Sequence, residues 1–273
     1  GLMLKFVYEP FPDRAYDSIL YLTNEVPFGQ LVRNIHWLSA NSLVLVVFLH
    51  LLRVFYTGAY AAPRQLNWII GLTLLAAVVL SNYTGYLLPW DQIAFWAITI
   101  STSMLDYLPV VGAGIKEWVL GGPEPGPGTL VNFYAVHTAI LPALLLVALP
   151  FHFWRIRKAR GLVIPRSPEE DSDMPVEMVE TMPQLIVREV AMATLVVAAI
   201  LVISMLFNAP LTEQANPGLS PNPTKAPWYF MGIQEMLMHF HPVFAILVIP
   251  LSLLAGLLLI PFINDGSKSS GVW

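Results

Sequence analysis

The amino-acid sequence predicts an all-α fold, a polytopic transmembrane helix bundle, and three observations predict it. Hydrophobic residues make up 56% of the 273-residue chain and charged residues only 12%, about half the roughly 25% charged share of an average soluble domain. Five apolar windows, at about residues 35–57, 66–88, 129–154, 185–207 and 243–263, are each long enough to cross a hydrocarbon core of roughly 30 Å as a helix. Two of those windows carry a histidine near each end, where an imidazole is costly unless something repays it. The net charge of -4 provides no extended basic face, which argues against nucleic acid as a partner. There are no cysteines, which leaves no disulfide framework, thiolate metal site or thioether attachment point.

In chain order, the first residues, "GLMLKFVYEP", fall short of the roughly 20 needed to cross a bilayer and are expected to be the last turns of a helix that begins upstream. A basic n-region and a small-residue cleavage site, the marks of a signal peptide, are absent from them. Arg53 and Arg64 flank the first connection between windows, and Arg155, Arg157, Lys158 and Arg160 follow the third. Basic residues beside span ends belong on the cytoplasmic or equivalent negative side. The acidic run "EEDSDMPVEMVE" shares that loop but counts little in orientation. The positive side then receives residues 9–30, 89–128 and 208–242, long segments rich in Pro, Gly, Trp and Tyr. Within them, "PWDQIAFWAITISTSMLDYLP" has the amphipathic, aromatic character of interfacial helices, so a lid on the positive side is expected. The chain is thus expected to be a multi-pass integral membrane protein of a bacterial inner membrane or an equivalent energy-transducing membrane, in contact with membrane lipid.

His36 and His50 are 14 residues apart in "HWLSANSLVLVVFLH", and His137 and His152 are 15 apart in "HTAILPALLLVALPFH". On a straight α-helix the first pair ends about 40° short of four turns and the second about 60° past, so each pair shares a face, separated by a rise of roughly 21 to 22 Å. One span separates the two helices in sequence, so they run parallel, and His36 levels with His137 and His50 with His152. Facing imidazoles at two depths suit axial ligation of two haem irons stacked across the membrane. The plainer alternative, four packed histidines each hydrogen-bonded to a neighbouring helix, has no reason to produce matching depths. Arg33 and Arg53 lie three residues outside His36 and His50, where they could pair with haem propionates or simply snorkel. Gly71 and Gly85, also 14 apart, could let a flat macrocycle approach the backbone or serve helix packing.

These histidine pairs, together with "RNIHWLSA", "GYLLPWDQIAFW" and the "PWYF" at 227–230, resemble the cytochrome b subunit of quinol:cytochrome c and quinol:plastocyanin oxidoreductases. The 15-residue spacing and "LPWDQ" resemble the chloroplast and cyanobacterial branch, although here the last spans continue in the same chain. The resemblance implies a dihaem N-terminal bundle over 1–160, a negative-side loop over 161–184 and a C-terminal part with two spans and a quinol-site loop over 185–273. It implies two haem b cofactors, with His36 and His137 on the low-potential haem iron and His50 and His152 on the high-potential one. Arg33, Arg53, Gly71 and Gly85 match positions around those haems, and Gly1 matches the second glycine of the family's first helix. The implied activity is the Q cycle: quinol oxidised at the positive side, one electron leaving to a Rieske iron-sulfur protein and a cytochrome c-type subunit, the other crossing to a quinone-reduction site. A homodimeric complex that translocates protons is implied with it.

Proton acceptance at the lid is where this sequence departs from that pattern. The family places a glutamate in Pro-Glu-Trp-Tyr, but here the residues are Ala226, Pro227, Trp228 and Tyr229. Glu235, about two turns beyond Pro227 on a helix, is expected to take over part of the task, with a solvent-facing glutamate as the alternative. Asp91, Tyr229, Trp228 and Pro227 are pocket candidates by motif position, and Arg157 lies where the resemblance puts a basic residue near the second quinone site. The missing glutamate points to a low-potential quinol of the menaquinol type. An extra haem on the negative side, as the chloroplast branch has, cannot be judged from these residues. Two other classes remain open: a dihaem anchor of a dehydrogenase, and a transporter or structural bundle in which the histidines relay protons.

Overall fold

The computed structural model describes residues 1–159, 161–163, 180–221 and 224–263. Among them the regular structure is helical: α1 (Leu2–Lys5), α2 (Ala15–Asn24), α3 (Gly29–Tyr56), α4 (Gln65–Leu87), α5 (Gln92–Ser103), α6 (Gly112–Leu120), α7 (Pro127–Ala135), α8 (Leu141–Lys158), α9 (Ile186–Leu206), α10 (Met231–His239) and α11 (Ile249–Leu259). Five stretches among the described residues are long and apolar enough to cross a membrane, Gly29–Tyr56, Gln65–Leu87, Pro127–Lys158, Thr181–Leu206 and Phe244–Phe262. They coincide with the five apolar windows and extend past several of them, because backbone hydrogen bonding continues beyond the lipid core. Most of the loop expected over 161–184, with Arg160 and nearly all of the acidic run, lies outside the described residues.

The spans bury little of themselves in one another: 6% of the apolar window in Gly29–Tyr56 and in Thr181–Leu206, against 28% in Gln65–Leu87. Apolar faces that lipid covers need no protein partner, so the figures identify α4 as the central helix. It packs against both α3 and α8, while α9 packs on α3. Helices α3 and α8 share no such close packing with each other among the described residues, which leaves a gap between them on one side of α4.

Wide turns interrupt two of the spans, and a third such turn, Thr181–Leu185, opens the span Thr181–Leu206. Val136–Ile140 leads into α8 and Phe244–Val248 into α11, each closed by a bond spanning five residues: Leu141 N–H to the Val136 carbonyl, and Ile249 N–H to the Phe244 carbonyl. A proline, Pro142 or Pro250, follows each closing residue. Proline has no N–H to donate and its ring presses on the carbonyl four residues back, so a π-turn that opens the helix by one residue relieves both problems.

Two clusters of buried apolar groups lie at the lid end. Ala15, Trp90, Phe95 and Leu130 form one cluster, and Leu87, Ile98, Leu120 and Phe133 another. Polar staples join the three lid segments. Asp91 caps α5 by accepting from Ala94 N–H at 2.9 Å, and its other oxygen accepts from Thr212 N–H at 2.9 Å. Gln92 accepts from Asn216 N–H at 2.6 Å and donates to the Leu219 carbonyl. Tyr16 donates to the Thr212 carbonyl at 2.9 Å, and Tyr8 to the Leu88 carbonyl at 2.7 Å. Burial beside Tyr134 raises the Tyr8 pKa, so this donor keeps its proton. The expected lid is therefore present, and its helices are folded into a buried core rather than lying separately. At the opposite end, Arg64 donates to the Ala159 and Gly161 carbonyls at 2.8 and 2.6 Å, tying the α3–α4 connection to the end of α8.

Candidate functional site

Of the four histidines, His36 and His50 lie on α3, His137 in the Val136–Ile140 turn and His152 on α8. At the lid level the His36 and His137 rings face each other across the gap, centroids 6.1 Å apart and planes at 86°. A metal held between two imidazole nitrogens at about 2 Å each puts ring centroids roughly 6 Å apart. The Nδ1–H of His137 donates to the Ser81 carbonyl at 2.9 Å, with Thr84 Oγ1 at 3.2 Å. That bond fixes the tautomer and leaves Nε2 with a free lone pair, the usual arrangement of a ligating histidine.

Glycines line the rings. A Cβ at Gly85 would fall 2.5 Å from His137 Cε1 and 3.1 Å from both ring nitrogens. At Gly71 it would lie 3.5 Å from His152 Cε1, and at Gly1 3.8 Å from His36 Cε1. Of these three glycines, Gly85 alone is demanded by the structure itself.

At the second level, His50 and His152 line a partly open, mainly apolar cavity, with Gly71, Arg53, Arg64 and Trp68 in its wall. The Nδ1 of His152 is buried without a partner at hydrogen-bond geometry, the Asn67 main chain being the polar group beside it. An apolar cavity with two convergent imidazoles, and a second facing pair about 21 Å away along the helices, fits a flat, iron-bearing macrocycle at each level. The residues present therefore fit haem.

Near the lid, Pro227 precedes a short 3₁₀ turn, Trp228–Phe230, that leads into α10. Trp228 donates to Asn41 Oδ1 on α3 at 2.9 Å. Phe230 packs edge-on against Tyr83 with centroids 5.6 Å apart, and Tyr83 against Phe133 at 6.0 Å. Tyr83 also shares a hydrogen bond with Ser101. Burial, with Tyr86 and Tyr83 close by, raises the pKa of the Tyr229 hydroxyl, which therefore remains a protonated donor near neutral pH. The result is an aromatic wall that joins Phe230 to Tyr83 on α4 and Phe133 on α7.

The remaining candidates are spread over the lid, α10 and the opposite end of the bundle. Arg33 donates to the Ala209 and Pro210 carbonyls at 2.9 and 2.5 Å, which ties its guanidinium to the segment that follows α9. Both oxygens of Asp91 are engaged in the lid staples. Glu235 sits at the surface, its side chain 68% exposed and 3.2 Å from His239 Nε2 on the same helix. The side chain of α10 that holds the Pro227 segment is Gln234, which accepts from Ala226 N–H and donates to the Thr224 carbonyl, both at 2.8 Å. Arg53 lines the second cavity. Arg157 is exposed beside the last turn of α8. Ser81, Thr84, Asn41 and Gln234 were not singled out in the sequence; the first three are polar residues interrupting apolar windows, which is the signal they left.

Fold and site together define a polytopic membrane protein whose helices bring imidazoles together in pairs at two levels. Residues 41–227 match the family model described as Cytochrome b(N-terminal)/b6/petB. The chain is 44% identical over 158 residues to cytochrome b6 of Acaryochloris marina, covering 58% of this chain and 74% of that protein. It is 43% identical over 157 residues to cytochrome b6 of Heliomicrobium gestii, with the same coverage of 58% and 74%. A chain of a hyperthermophilic respiratory Complex III superposes with a TM-score of 0.85 at 30% identity, covering 96% of this chain and 70% of that one. The chain belongs to the cytochrome b family: it is a haem-binding electron-transport protein and a multi-pass protein of the membrane.

Proposed function

We propose that this chain is the dihaem cytochrome b of a quinol-oxidising bc-type complex. In this proposal quinol gives up two electrons and two protons at the positive, lid side. One electron leaves to a Rieske iron-sulfur protein and on to a cytochrome c-type subunit. The other crosses to a quinone-reduction site on the negative side, and the cycle translocates protons. Haem, when bound, supplies one-electron relay positions at two depths. His36 and His137 would hold the lid-side group, His137 through Nε2, and the Ser81 carbonyl keeps the His137 ring in orientation. His50 and His152 would hold the opposite one, with Arg53 in the same wall to meet a propionate. Trp228, Tyr229 and the Tyr83–Phe230 wall bound the quinol pocket. Pro227 offers no proton acceptor there, and Tyr229 acts as a hydrogen-bond donor to a quinone oxygen. Asp91 and Arg33 act as positioning residues of the lid. The division into a dihaem part over 1–160 and a C-terminal part over 185–273 goes with the same proposal.

The observation that carries this is the pairing of four imidazoles at two levels beneath an aromatic-walled lid, in a member of the cytochrome b family. A reduced-minus-oxidised spectrum of the purified complex tests it: two b-type haems that titrate separately are expected, and a preparation with one haem or none overturns it. Sensitivity to inhibitors of the positive-side quinol site then separates the bifurcating enzyme from a dihaem anchor, which would show none.

A further inference from the structure

We propose that the wide turn at Val136–Ile140 is a register device. It absorbs the fifteenth residue between His137 and His152, so that this pair spans the same rise and phase as the 14-residue pair on α3. The inference rests on the proposed dihaem function and adds how this chain's third span meets it.

The ruler is α4. It runs as an unbroken α-helix from Gln65 to Leu87, and its Gly71 and Gly85 are 14 residues apart, a rise of about 21 Å. His137 lies against Gly85 and His152 against Gly71. Fifteen residues of the third span therefore match 14 of α4. A straight α-helix would carry His152 about 100° further round than a 14-residue spacing does, swinging its ring off the face that Gly71 meets. The structure avoids this swing inside the Val136–Ile140 turn, where Leu141 N–H reaches back five residues to the Val136 carbonyl. A π-turn takes in one extra residue and returns the following helix to its former phase.

Proline permits the turn but does not fix it. Pro142 follows immediately, yet Pro150, in the same helix, sits in regular α-helical turns. What distinguishes the two positions is the spare residue, which must be taken up between the two histidines. On α3 no such turn occurs between His36 and His50, so α3 has nothing to spare. Pro142 is accordingly a positioning residue that makes opening at this site inexpensive.

Single-residue deletions test this in the assembled complex, read by redox-titrated difference spectra and by the low-temperature electron paramagnetic resonance of the oxidised haems. Deleting Ala139 should close the turn to a regular helix and keep both haems, with signals close to wild type, with or without Pro142→Ala. Deleting Leu45 on α3 should remove at least one haem. Loss of either haem on deleting Ala139, or retention of both on deleting Leu45, overturns the proposal. Inserting an alanine after Ala139 should also lose one haem, because the turn is already filled; retention of both counts against it. A wild-type complex without two haems would sink the dihaem function itself, whatever the deletions do.

Discussion

The two histidine levels differ in how much of their geometry the polypeptide supplies unaided. At the lid level the imidazoles face each other at 6.1 Å, one is hydrogen-bonded to a main-chain carbonyl, and Gly85 leaves that ring no room to retreat. Above it, Asp91, Gln92, Arg33 and Tyr16 staple the lid segments together. At the opposite level there is a cavity instead, an unpartnered His152 Nδ1 and a Gly71 in ordinary contact. The lid level is preorganised by protein, whereas the other depends on whatever fills its cavity. Preorganisation is worth most where chemistry is most demanding, and quinol oxidation belongs at the lid in the proposed function.

The largest expected effect comes from removing a ligand. His137→Ala should abolish the lid-side haem and take quinol oxidation to background, while His152→Ala should abolish the opposite haem and leave the lid-side spectrum in place. Difference spectra of both variants decide whether the levels are independent; loss of both haems in each would dissolve the distinction. Next is the glycine pair. Gly85→Ala puts a Cβ 2.5 Å from His137 Cε1, closer than real contacts allow, so the ring must move and the potential of the lid-side haem should shift measurably. Gly71→Ala adds only a 3.5 Å contact and should leave the other haem unshifted. Equal shifts in the two variants would mean that both levels are equally rigid.

The sequence made the large features legible for physical reasons. Apolar windows reveal spans because lipid demands continuous apolar helix, and an imidazole in such a window is expensive enough to signal its own purpose. Geometry set by single hydrogen bonds was not legible. Arg33, three residues from His36, reads equally as a propionate partner or an anchor, and only the fold shows the carbonyls of Ala209 and Pro210 within its reach. Asp91 followed by Ala94 has the spacing of a helix cap, but its second partner, Thr212, is 121 residues away. The phase of His152 was likewise hidden, because straight-helix arithmetic cannot include a π-turn.

The lid staples should yield a smaller effect than the haem shell. Asp91→Ala removes a helix cap, which costs about 1 kcal/mol, and leaves the Thr212 N–H short of a partner, adding roughly 1–3 kcal/mol. Limited proteolysis of the lid should become faster while both haems remain. Haem loss at the lid level would show that the staple and the ligand shell are one cooperative unit.

The smallest effect is expected on α10, where neighbouring residues divide sharply. Glu235 is exposed and, among the described residues, paired with His239, an arrangement worth about 0–1 kcal/mol. Gln234 holds the segment before Trp228 through two hydrogen bonds of 2.8 Å. If the lid needs a firm aromatic wall more than a carboxylate on this helix, Gln234→Ala should slow quinol turnover by loosening Trp228 and Tyr229. Glu235→Gln should then change turnover by no more than about twofold, in line with a surface pair of that strength. The opposite ranking, with Glu235→Gln the slower enzyme and its pH profile displaced, would restore the glutamate as the proton acceptor that Pro227 cannot be.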